Sequence, residues 1–434
     1  MKKRLLSVLL SGALLTTGLM TGCGGDGGKA EKATEKEEQK KLEAKNPEEI
    51  EGEFTYWTYT DSANNLVKAF NEKYPNVKVN LQIFGGEEYR TKILTALQSG
   101  DNVPDVFDLE ENYAYEFLDS DLIADLSYID IEKLTENYYD FQLAQMKDSD
   151  GNYKAVTFQS SPVVFWYLRD ACEKWLGTSD PVEISNMLSD WDSIIAKGEE
   201  VYAASNGEVH LWPNIAEMVK VDAFSFEPLV REQKLNVGDE WIGMIDEMRT
   251  MYESDANAEL GSWSSEWAAA WNEGSILFRV MPSWDYFTDW DANNGNVGVA
   301  VPFNASYEGA TQTCVYEKSE NKDVAGVFLE YLTTDEFQTL NLNEYNQFPA
   351  SKTAVEASKE GYSAEEFGGQ NILETYGEVC EKIKPIVPDK YTRATQNDFQ
   401  KAVTDGIKAG KDNDAIIEEF KKMVRDKFPE VTVE

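Results

Sequence analysis

The first folded stretch of the chain alternates between the hydrophobic patterns of strands and helices. Residues 54–58 are β-prone, residues 77–83 alternate apolar and polar positions, and residues 104–109 are predicted to form a short buried strand. Between them, residues 62–74 and 87–99 carry apolar side chains at helical spacing. This order predicts a βαβαβ unit with a mostly parallel sheet and right-handed crossovers. Ligands of such sheets bind beyond the carboxyl ends of the strands.

Polar and aromatic residues follow two of these predicted strands. Tyr59 and Asp61 come after the first strand, and Glu110, Asn112 and Tyr113 come after the third. The sequence therefore places candidate ligand contacts in these loops. Two other interpretations stay open, because Asp61 can cap the following helix and Glu110 and Asn112 can be ordinary solvated loop residues.

The N-terminus has the pattern of an export signal. Basic residues open it, an apolar run from Leu5 to Leu19 follows, and Cys23 comes directly after a glycine. We expect residues 1–22 to be a lipoprotein signal peptide and Cys23 to be lipidated. The alternative is an ordinary secretory signal with an incidental cysteine. Residues 23–52 are rich in Gly, Lys and Glu, which predicts a flexible, acidic tether.

Length and composition narrow the function further. About 380 residues remain after the tether, which favours two lobes with separate cores. The net charge of −39 argues against nucleic acid and against an anionic membrane surface as partners. The chain also has 11 Trp, 21 Tyr and 20 Phe. Exported proteins rich in aromatic residues often bind sugars, because the C–H face of a pyranose packs on an aromatic ring.

Cysteine and histidine usage excludes many enzymes. Apart from Cys23 the chain has Cys172, Cys314 and Cys380, without metal-ligand spacing, and His210 is its one histidine. These numbers oppose a multi-histidine zinc site and most Ser-His or Cys-His catalytic arrangements. At most one disulfide can form, and we expect the cysteines to be small buried hydrophobes. No metal and no cofactor is predicted.

A series of motifs in a fixed order resembles one known family. The chain is similar to the family 1 extracellular solute-binding proteins, the receptors of ABC sugar importers, which include the maltose-binding proteins. The resemblance covers residues from about 53 to about 428 and rests on these segments: residues 69–79, 97–107, 153–168, 190–192, 271–284, 297–302, 325–338 and 348–352.

This resemblance implies an α/β fold of the periplasmic-binding-protein type. Two α/β lobes would be joined by a hinge that the chain crosses three times, with the ligand cleft between them. The first lobe would comprise residues 53–158 and 306–350, and the second residues 159–305 and 351–428. Hinge closure around the ligand is the behaviour known for such receptors.

The resemblance and the loop positions together give a set of candidate sugar contacts. Trp284 is the expected aromatic platform, because it matches the tryptophan that stacks on the sugar in the maltose-binding proteins. The full candidate set is Trp284, Glu110, Asn112, Tyr59, Asp61, Tyr113, Gln159 and Tyr391. Carboxylate and amide groups suit this role because a buried hydroxyl without a partner costs roughly 1–3 kcal/mol.

Four further tryptophans are ambiguous. Trp263, Trp267 and Trp271 recur every four residues, which favours a packed helical face over a row of ligand platforms. Trp212 lies in a loop-like stretch and could reach the rim of the cleft.

The resulting expectation is a monomeric, lipid-anchored receptor that delivers a carbohydrate, such as an oligosaccharide, to the transmembrane subunits of an ABC permease. It would sit on the outer face of the cytoplasmic membrane of a bacterium without an outer membrane, and it would not be an enzyme. Two alternatives remain open. One is a receptor for a non-sugar solute on the same fold, and the other is an exported glycoside hydrolase, which needs two carboxyl groups about 5 to 10 Å apart.

Overall fold

The computed structural model describes residues 46–284 and 295–434. The predicted signal peptide, Cys23 and most of the tether lie outside these residues. The strands are β1 Gly52–Thr58, β2 Val77–Ile83, β3 Val106–Glu110, β4 Ala155–Val156, β5 Val163–Leu168, β6 Val230–Arg231, β7 Lys234–Leu235, β8 Phe278–Pro282, β9 Val297–Ala300 and β10 Thr311–Val315. The helices are α1 Ala63–Lys73, α2 Gly86–Ser99, α3 Glu111–Leu118, α4 Ile131–Leu134, α5 Asp140–Gln145, α6 Arg169–Leu176, α7 Pro181–Met187, α8 Trp191–Ala204, α9 Ile215–Ala223, α10 Asp239–Glu253, α11 Ser265–Glu273, α12 Lys322–Leu332, α13 Asp335–Tyr345, α14 Lys352–Lys359, α15 Ile372–Lys382, α16 Thr392–Lys408 and α17 Asn413–Lys427.

The predicted βαβαβ unit forms the start of the first lobe. Strand β1 pairs in parallel with both β2 and β3, so the three predicted strands and the two helices between them are confirmed. Helix α2 ends at Gly100, whose left-handed φ of +71° suits a residue without a side chain. Helix α1 begins after Ser62, but no side chain caps it, so the capping role suggested for Asp61 is not made.

Two later strands complete this sheet. The order is β2-β1-β3-β10-β4, and β10 runs antiparallel to its neighbours β3 and β4. Helix α12 follows β10 and packs Phe328 between Phe54 and Phe70, with ring centroids 5.3 and 5.1 Å apart. The chain therefore returns to the first lobe at β10. There, Phe328 of α12 shares one hydrophobic core with Phe54 and Phe70 of the N-terminal unit.

The second lobe is built on a three-stranded sheet. Its order is β8-β5-β9, and all strand pairs are antiparallel. Every residue of β5 is buried, because helices cover both faces of the sheet. Helix α8 begins with a capping box, in which the Asp190 carboxylate accepts the backbone N–H of Ser193 and the Ser193 hydroxyl accepts that of Asp190.

Three chain segments run side by side between the two sheets. Residues 157–162 lead from β4 to β5, and they contact residues 348–350 on their first half and residues 306–308 on their second half. The backbone N–H of Ser160, for example, donates to the carbonyl of Phe348 at 2.8 Å. The three-crossing hinge is thus present, and the fold is the expected two-lobed α/β architecture. The boundaries given for the two lobes stay predictions.

Within the described residues, no helix has the length and apolarity needed to cross a bilayer.

Candidate functional site

The carboxyl ends of β1 and β3 form one edge of the first-lobe sheet. Tyr59 directly follows β1, Glu110 ends β3, and Thr311 of β10 lies opposite Glu110. The Tyr59 hydroxyl lies 2.9 Å from the Thr311 hydroxyl, so both are in hydrogen-bond contact. Burial and the neighbouring carboxylate of Glu111 raise the pKa of Glu110. Two of the predicted contacts therefore meet where the parallel strands end.

Trp284 reaches this region from the second lobe. It follows β8, and its indole N–H donates to the backbone carbonyl of Glu308 at 2.8 Å. The carboxylate of Glu308 in turn pairs with Lys220 at 2.8 and 2.9 Å. With its edge held in this way, Trp284 remains 37% exposed. An indole that is fixed along one edge and exposed elsewhere is suited to act as a stacking platform.

The segment Glu308–Thr311 connects the two groups of residues. Trp284 binds its first residue, Tyr59 contacts its last, and the backbone N–H of Glu111 donates to the carbonyl of Ala310 at 3.0 Å. Three residues span at most roughly 10 Å, the reach of a fully extended chain. Trp284, Tyr59 and Glu110 are thus gathered along one short strip of backbone.

Gly309 is required within this strip. Its φ is +74°, and a Cβ atom added there would lie 2.8 Å from the indole nitrogen of Trp284. A side chain would therefore be strained by its backbone conformation and would also displace the indole. Glycine at this position allows the strip to pass directly against Trp284.

A buried ion pair joins the two lobes beside this strip. Glu111 begins α3 in the first lobe, and Arg393 lies on α16, which packs on α9 and α10 in the second. The guanidinium Nε and Nη2 atoms lie 2.7 and 2.6 Å from Oε1 of Glu111. The two side chains are only 3% and 1% exposed. The guanidinium also stacks on Phe224, with its carbon 3.9 Å from the ring centroid, and lies 5.1 Å from that of Tyr307.

The electrostatics of this pair follow from its burial. Desolvation raises the pKa of Glu111, although the charge of Arg393 opposes this effect. For Arg393 burial acts to lower the pKa, but the Glu111 carboxylate together with Tyr307 and Tyr115 outweighs this effect and the pKa is raised. The guanidinium is therefore charged and depends on a single carboxylate for neutralisation.

Several buried polar atoms along the hinge and the ion pair have no hydrogen-bond partner among the described residues. They are Oε2 of Glu111, Nη1 of Arg393, Oε1 of Gln142, Oε1 of Gln159 and Oγ of Ser161. Most buried polar atoms in folded proteins have a partner. Both donors and acceptors are represented here.

The remaining predicted contacts have different surroundings. Asn112 is exposed, and its amide donates to the Glu110 carboxylate. Asp61 is exposed, and its backbone carbonyl accepts from Asn64. Tyr113 is buried, with the Arg90 guanidinium 5.3 Å from its ring centroid.

The last two predicted contacts, Gln159 and Tyr391, lie in different parts of the fold, one at the hinge and one beside the C-terminal segment. Gln159 is at the hinge, where its backbone bridges to Pro349. Tyr391 is not brought together with the others. Its ring packs edge-on against Phe428 at 5.1 Å, and its hydroxyl donates to Glu430 at 3.0 Å. The start of α16 thus turns Tyr391 toward the C-terminal segment and presents Arg393 to the first lobe instead.

Sequence reasoning missed Glu111, Arg393 and Tyr307. Glu111 stands between the predicted contacts Glu110 and Asn112, and it differs from Asn112 in burial, since Glu111 is buried while Asn112 is exposed. A carboxylate on the apolar face of a helix would have been the signal. In the sequence Arg393 is one of several scattered arginines. Nothing local marks it, because its partner Glu111 is 282 residues away.

Two other sequence interpretations have clear outcomes. Trp212 does not reach a rim, since it is fully buried against Phe165 and Phe278, with ring centroids 4.9 Å away in each case. Cys172, Cys314 and Cys380 are free and buried, as expected, and burial raises the pKa of each thiol. Among the described residues no group of three or more His, Cys, Asp or Glu side chains could hold a metal ion.

Comparison with known proteins gives a consistent result. The sequence profile of the bacterial extracellular solute-binding proteins matches residues 65–369. An arabinooligosaccharide-binding protein of Halalkalibacterium halodurans is 21% identical over 389 residues, which cover 81% of this chain and 84% of the relative. The arabinooligosaccharide-binding protein of Bacillus subtilis is 22% identical over 403 residues, covering 83% and 88% respectively.

Among solved structures, the sugar-binding protein MalE from Xanthomonas citri superposes with a TM-score of 0.73 at 16% identity, covering 86% of this chain and 97% of that protein. At this identity the likeness establishes the two-lobed fold.

Proposed function

This chain belongs to the bacterial extracellular solute-binding proteins, and we propose that it is the receptor of an ABC importer that captures a neutral oligosaccharide between its two lobes. The observation that carries this proposal is Trp284. Its indole is held along one edge by Glu308 and stays exposed beside the polar strand ends that carry Tyr59 and Glu110. An aromatic face next to fixed carboxylate and hydroxyl groups matches the two sides of a sugar ring, one apolar and one polar.

The candidate contacts divide into a platform and its polar partners. Trp284 would stack on one sugar ring, while the other contacts would bind hydroxyl groups. These partners are Tyr59, Asp61, Glu110, Asn112, Tyr113 and Gln159. Glu111 and Arg393 would instead favour the closed lobes through their ion pair, which packs against Tyr307. We assign no ligand contact to Tyr391, because its ring and hydroxyl are already engaged by Phe428 and Glu430.

The charges beside the cleft favour a neutral solute. Arg393 is buried beside the strand that ends at Glu110, and it is already paired with Glu111. Lys220 is similarly paired with Glu308. An anionic solute would need an uncompensated cation, which neither side chain offers. The names of the two arabinooligosaccharide-binding relatives point to arabino-oligosaccharides as the first series to test.

Closure would couple capture to delivery. The sugar would bind to the open lobes and be enclosed when the hinge closes, and the closed form would present a joint surface of both lobes to the transmembrane subunits of the permease. Ligand shifts this equilibrium only by its differential affinity for the closed state. We propose no catalytic step and no cofactor, and we propose that the receptor acts as a monomer.

The N-terminal segment supplies the proposed location. Cys23 would carry the lipid, and residues 23–52 would hold the receptor away from the outer face of the cytoplasmic membrane. A receptor retained in this way would not diffuse from a cell without an outer membrane.

A thermal-shift screen of the full mature chain tests this function. We expect neutral oligosaccharides to raise the melting temperature, because binding at about 100 times Kd stabilises the native state by about 2.7 kcal/mol. Shifts produced by peptides or organic anions, with none from any sugar, would contradict the proposal and support a receptor for another solute.

A further inference from the structure

A buried carboxylate on α9 holds the chain just before it enters the hinge. Asp222 is 1% exposed, and its Oδ1 atom accepts the side-chain amide of Asn304 at 2.5 Å. Its Oδ2 atom accepts the indole N–H of Trp191 at 2.8 Å, and the Trp191 ring packs edge-on against Phe303 with centroids 5.1 Å apart. These two residues, 303 and 304, lead from β9 into the hinge segment 306–308. Asp222 therefore fixes, directly and through Trp191, the approach to one of the three hinge crossings.

Two further contacts of the same helix hold the rest of this segment. The Ser306 hydroxyl donates to the backbone carbonyl of Lys220 at 3.4 Å, and the Lys220 ammonium pairs with the Glu308 carboxylate. The backbone carbonyl of Glu308 accepts the indole N–H of Trp284. Helix α9 thus holds residues 303–308 along their length, and this stretch ends at the residue that supports Trp284.

Asp222 shares the cavity beside this segment with a second carboxyl group. The cavity has a volume of about 490 Å³ and is lined by residues of α8, α9 and α10. Glu247 of α10 is among them, and its carboxyl group is hydrogen-bonded to that of Asp222. Two ionised carboxylates have only acceptor atoms, so a hydrogen bond between them requires one proton. Because two N–H donors stabilise the Asp222 anion, Glu247 is the member that carries this proton.

The charged groups around this pair are acidic. They belong to the helices that line the cavity, and they are Asp190 and Asp192 of α8 and Glu240 and Asp246 of α10. Burial, and then the charge of Asp222, raise the pKa of Glu247 to about 7. Asp192 and Asp246 act in the same direction. The shared proton is therefore present in mildly acidic solution and is lost near neutral pH.

The cations nearest to the pair along the chain are engaged elsewhere. Lys220 pairs with Glu308, and the Arg249 guanidinium donates to the carbonyl of Lys411 and to the side chain of Asn413. Helices α16 and α17 also pack on α10, but neither contributes to the lining of the cavity. Among the described residues that line it, none is a lysine, arginine or histidine. Once the proton is lost, the two negative charges therefore repel each other without a cation to compensate them.

We propose that Asp222 and Glu247 form a proton-dependent clamp on the hinge, which holds residues 303–308 while the two carboxyl groups share one proton and weakens when the proton is lost. Without the proton, the half-buried Glu247 side chain moves toward water, and water beside Asp222 competes with the Asn304 amide for its carboxylate. The affinity for sugar is then higher in mildly acidic than in alkaline solution, because the strip that supports Trp284 begins at this clamp. The effect on affinity rests on the proposed function, whereas the effect on the stability of the free protein does not.

The effect on stability has a defined sign. The folded pKa of Glu247, about 7, lies above the unfolded value of about 4.3. The contribution of Glu247 is therefore complete below the unfolded value and is lost as pH rises through about 7. The free protein should unfold at a lower urea concentration at about pH 8.5 than at about pH 6.5.

The test compares the wild type with Glu247→Gln at these two pH values, both as the full mature chain. Urea unfolding measures the stability of the free protein. Titration calorimetry measures affinity along a ladder of arabino-oligosaccharides, from the disaccharide to about the hexasaccharide, whose neutral members do not titrate themselves. For the wild type we expect a lower urea midpoint and a roughly threefold or greater loss of affinity at the higher pH.

Glu247→Gln should largely abolish both changes. Its amide N–H donates to Asp222 at every pH, and because Gln has the size of Glu the fold should be retained. Glu253→Gln is the matched control, at an exposed carboxylate six residues further along α10. It should keep the wild-type pH dependence in both measurements.

Two results would overturn this inference alone. One is an equal pH dependence of urea unfolding in Glu247→Gln and the wild type. The other is a Glu247→Gln protein that loses the pH dependence of unfolding but keeps that of affinity, because the pair would then not act on the cleft. A wild type that binds no member of the ladder at either pH would instead contradict the proposed function, and the unfolding comparison would still decide whether the pair shares a proton.

Discussion

Arg393 and Glu111 form a buried ion pair across the two lobes, with guanidinium Nε 2.7 Å from carboxylate Oε1. Each group lies on a different lobe, so the pair exists only when the lobes are close together. Both charges are buried in this structure, and opening of the lobes would expose both to water. Removing one partner leaves an unpaired charge. Water can solvate this charge in the open form, whereas burying it in the closed form costs free energy.

We therefore expect Glu111→Gln or Arg393→Met to favour the open state. Breaking a buried pair on one side costs about 3–5 kcal/mol, and this cost falls on closure. Each single variant should weaken oligosaccharide binding at least tenfold and increase the radius of gyration measured by small-angle X-ray scattering. The double variant should recover much of the closure, because neither charge remains buried.

Lys390→Met provides the control for this prediction. Lys390 lies three residues before Arg393 and pairs with Glu430 in a solvent-exposed ion pair, which contributes at most about 1 kcal/mol. Affinity and scattering should be unchanged. A double variant whose loss equals the sum of the two single losses would show that Glu111 and Arg393 are not coupled.

A second prediction concerns the platform. We expect Trp284→Ala to weaken glycan binding at least tenfold while leaving the melting temperature of the free protein nearly unchanged, because the indole is exposed and makes one hydrogen bond. Titration calorimetry and thermal unfolding measure the two effects. Unchanged affinity would remove Trp284 from the site.

Gly309→Ala tests the same platform without altering it. The added methyl group would press on the Trp284 indole, so affinity should fall even though no candidate contact is changed. Gly238→Ala is the matched control, because open space surrounds the position of its added Cβ atom. If Gly309→Ala bound sugar as well as the wild type, the geometry of the strip would not matter for binding.

The sequence pattern predicted the fold correctly where the local hydrophobic pattern and the tertiary packing agree. Strand and helix periodicities gave the βαβαβ unit almost to the residue, since each element has one apolar face. The addition of β10 to this sheet, more than 200 residues later, has no local signal and followed from the family resemblance alone. Contacts of that range are decided by tertiary packing, as in the insertion of Phe328 between Phe54 and Phe70.

The site residues were harder to predict than the fold, because they too depend on tertiary packing. Residues at strand ends could be chosen from topology, which is why Tyr59 and Glu110 lie together. The choice of Tyr391 depended on which side of α16 faces the cleft, and sequence alone does not decide the helix rotation. The contacts of Tyr391 with Phe428 and Glu430 orient the start of the helix so that Arg393 faces Glu111.

A third prediction follows from Asp108, which is buried in the first-lobe sheet. Burial raises its pKa to about 6, although hydroxyl donors including Tyr56 and Thr313 oppose this effect. Since the folded pKa exceeds the unfolded value of about 3.9, the stabilising contribution of Asp108 is complete below that value and is lost as pH rises through 6. The loss is at most about 3 kcal/mol. We expect Asp108→Asn to flatten the pH dependence of urea unfolding between about pH 4 and 7.

Asp105→Asn is the matched control, at the residue directly before the same strand. Burial acts to raise the pKa of Asp105, but hydrogen bonds from Ser319, Thr55 and Asn321 outweigh it and the pKa is lowered. Its contribution is therefore present above the unfolded pKa and is lost only in more acidic solution. From about pH 5 to 7 the stability difference between Asp105→Asn and the wild type should stay constant. A parallel pH profile for Asp108→Asn and the wild type would contradict the assigned role of Asp108.

A fourth prediction concerns attachment. If Cys23 carries the lipid, Cys23→Ser should release the protein from the membrane fraction into the medium, because the tether has no apolar run of its own. Cell fractionation and mass spectrometry of the mature N-terminus measure this change. A Cys23→Ser protein that stays with the membrane would contradict lipid anchoring.

The central claim is that the cleft binds a neutral oligosaccharide without altering it. Titration calorimetry of the full mature chain with the arabino-oligosaccharide ladder, followed by analysis of the recovered sugar, tests this most directly. We predict saturable one-to-one binding with a free energy near −8 kcal/mol, about micromolar affinity, and recovery of intact sugar. The absence of binding heat across arabino-, malto- and galacto-oligosaccharides would contradict the account, as would shortened products that indicate hydrolysis.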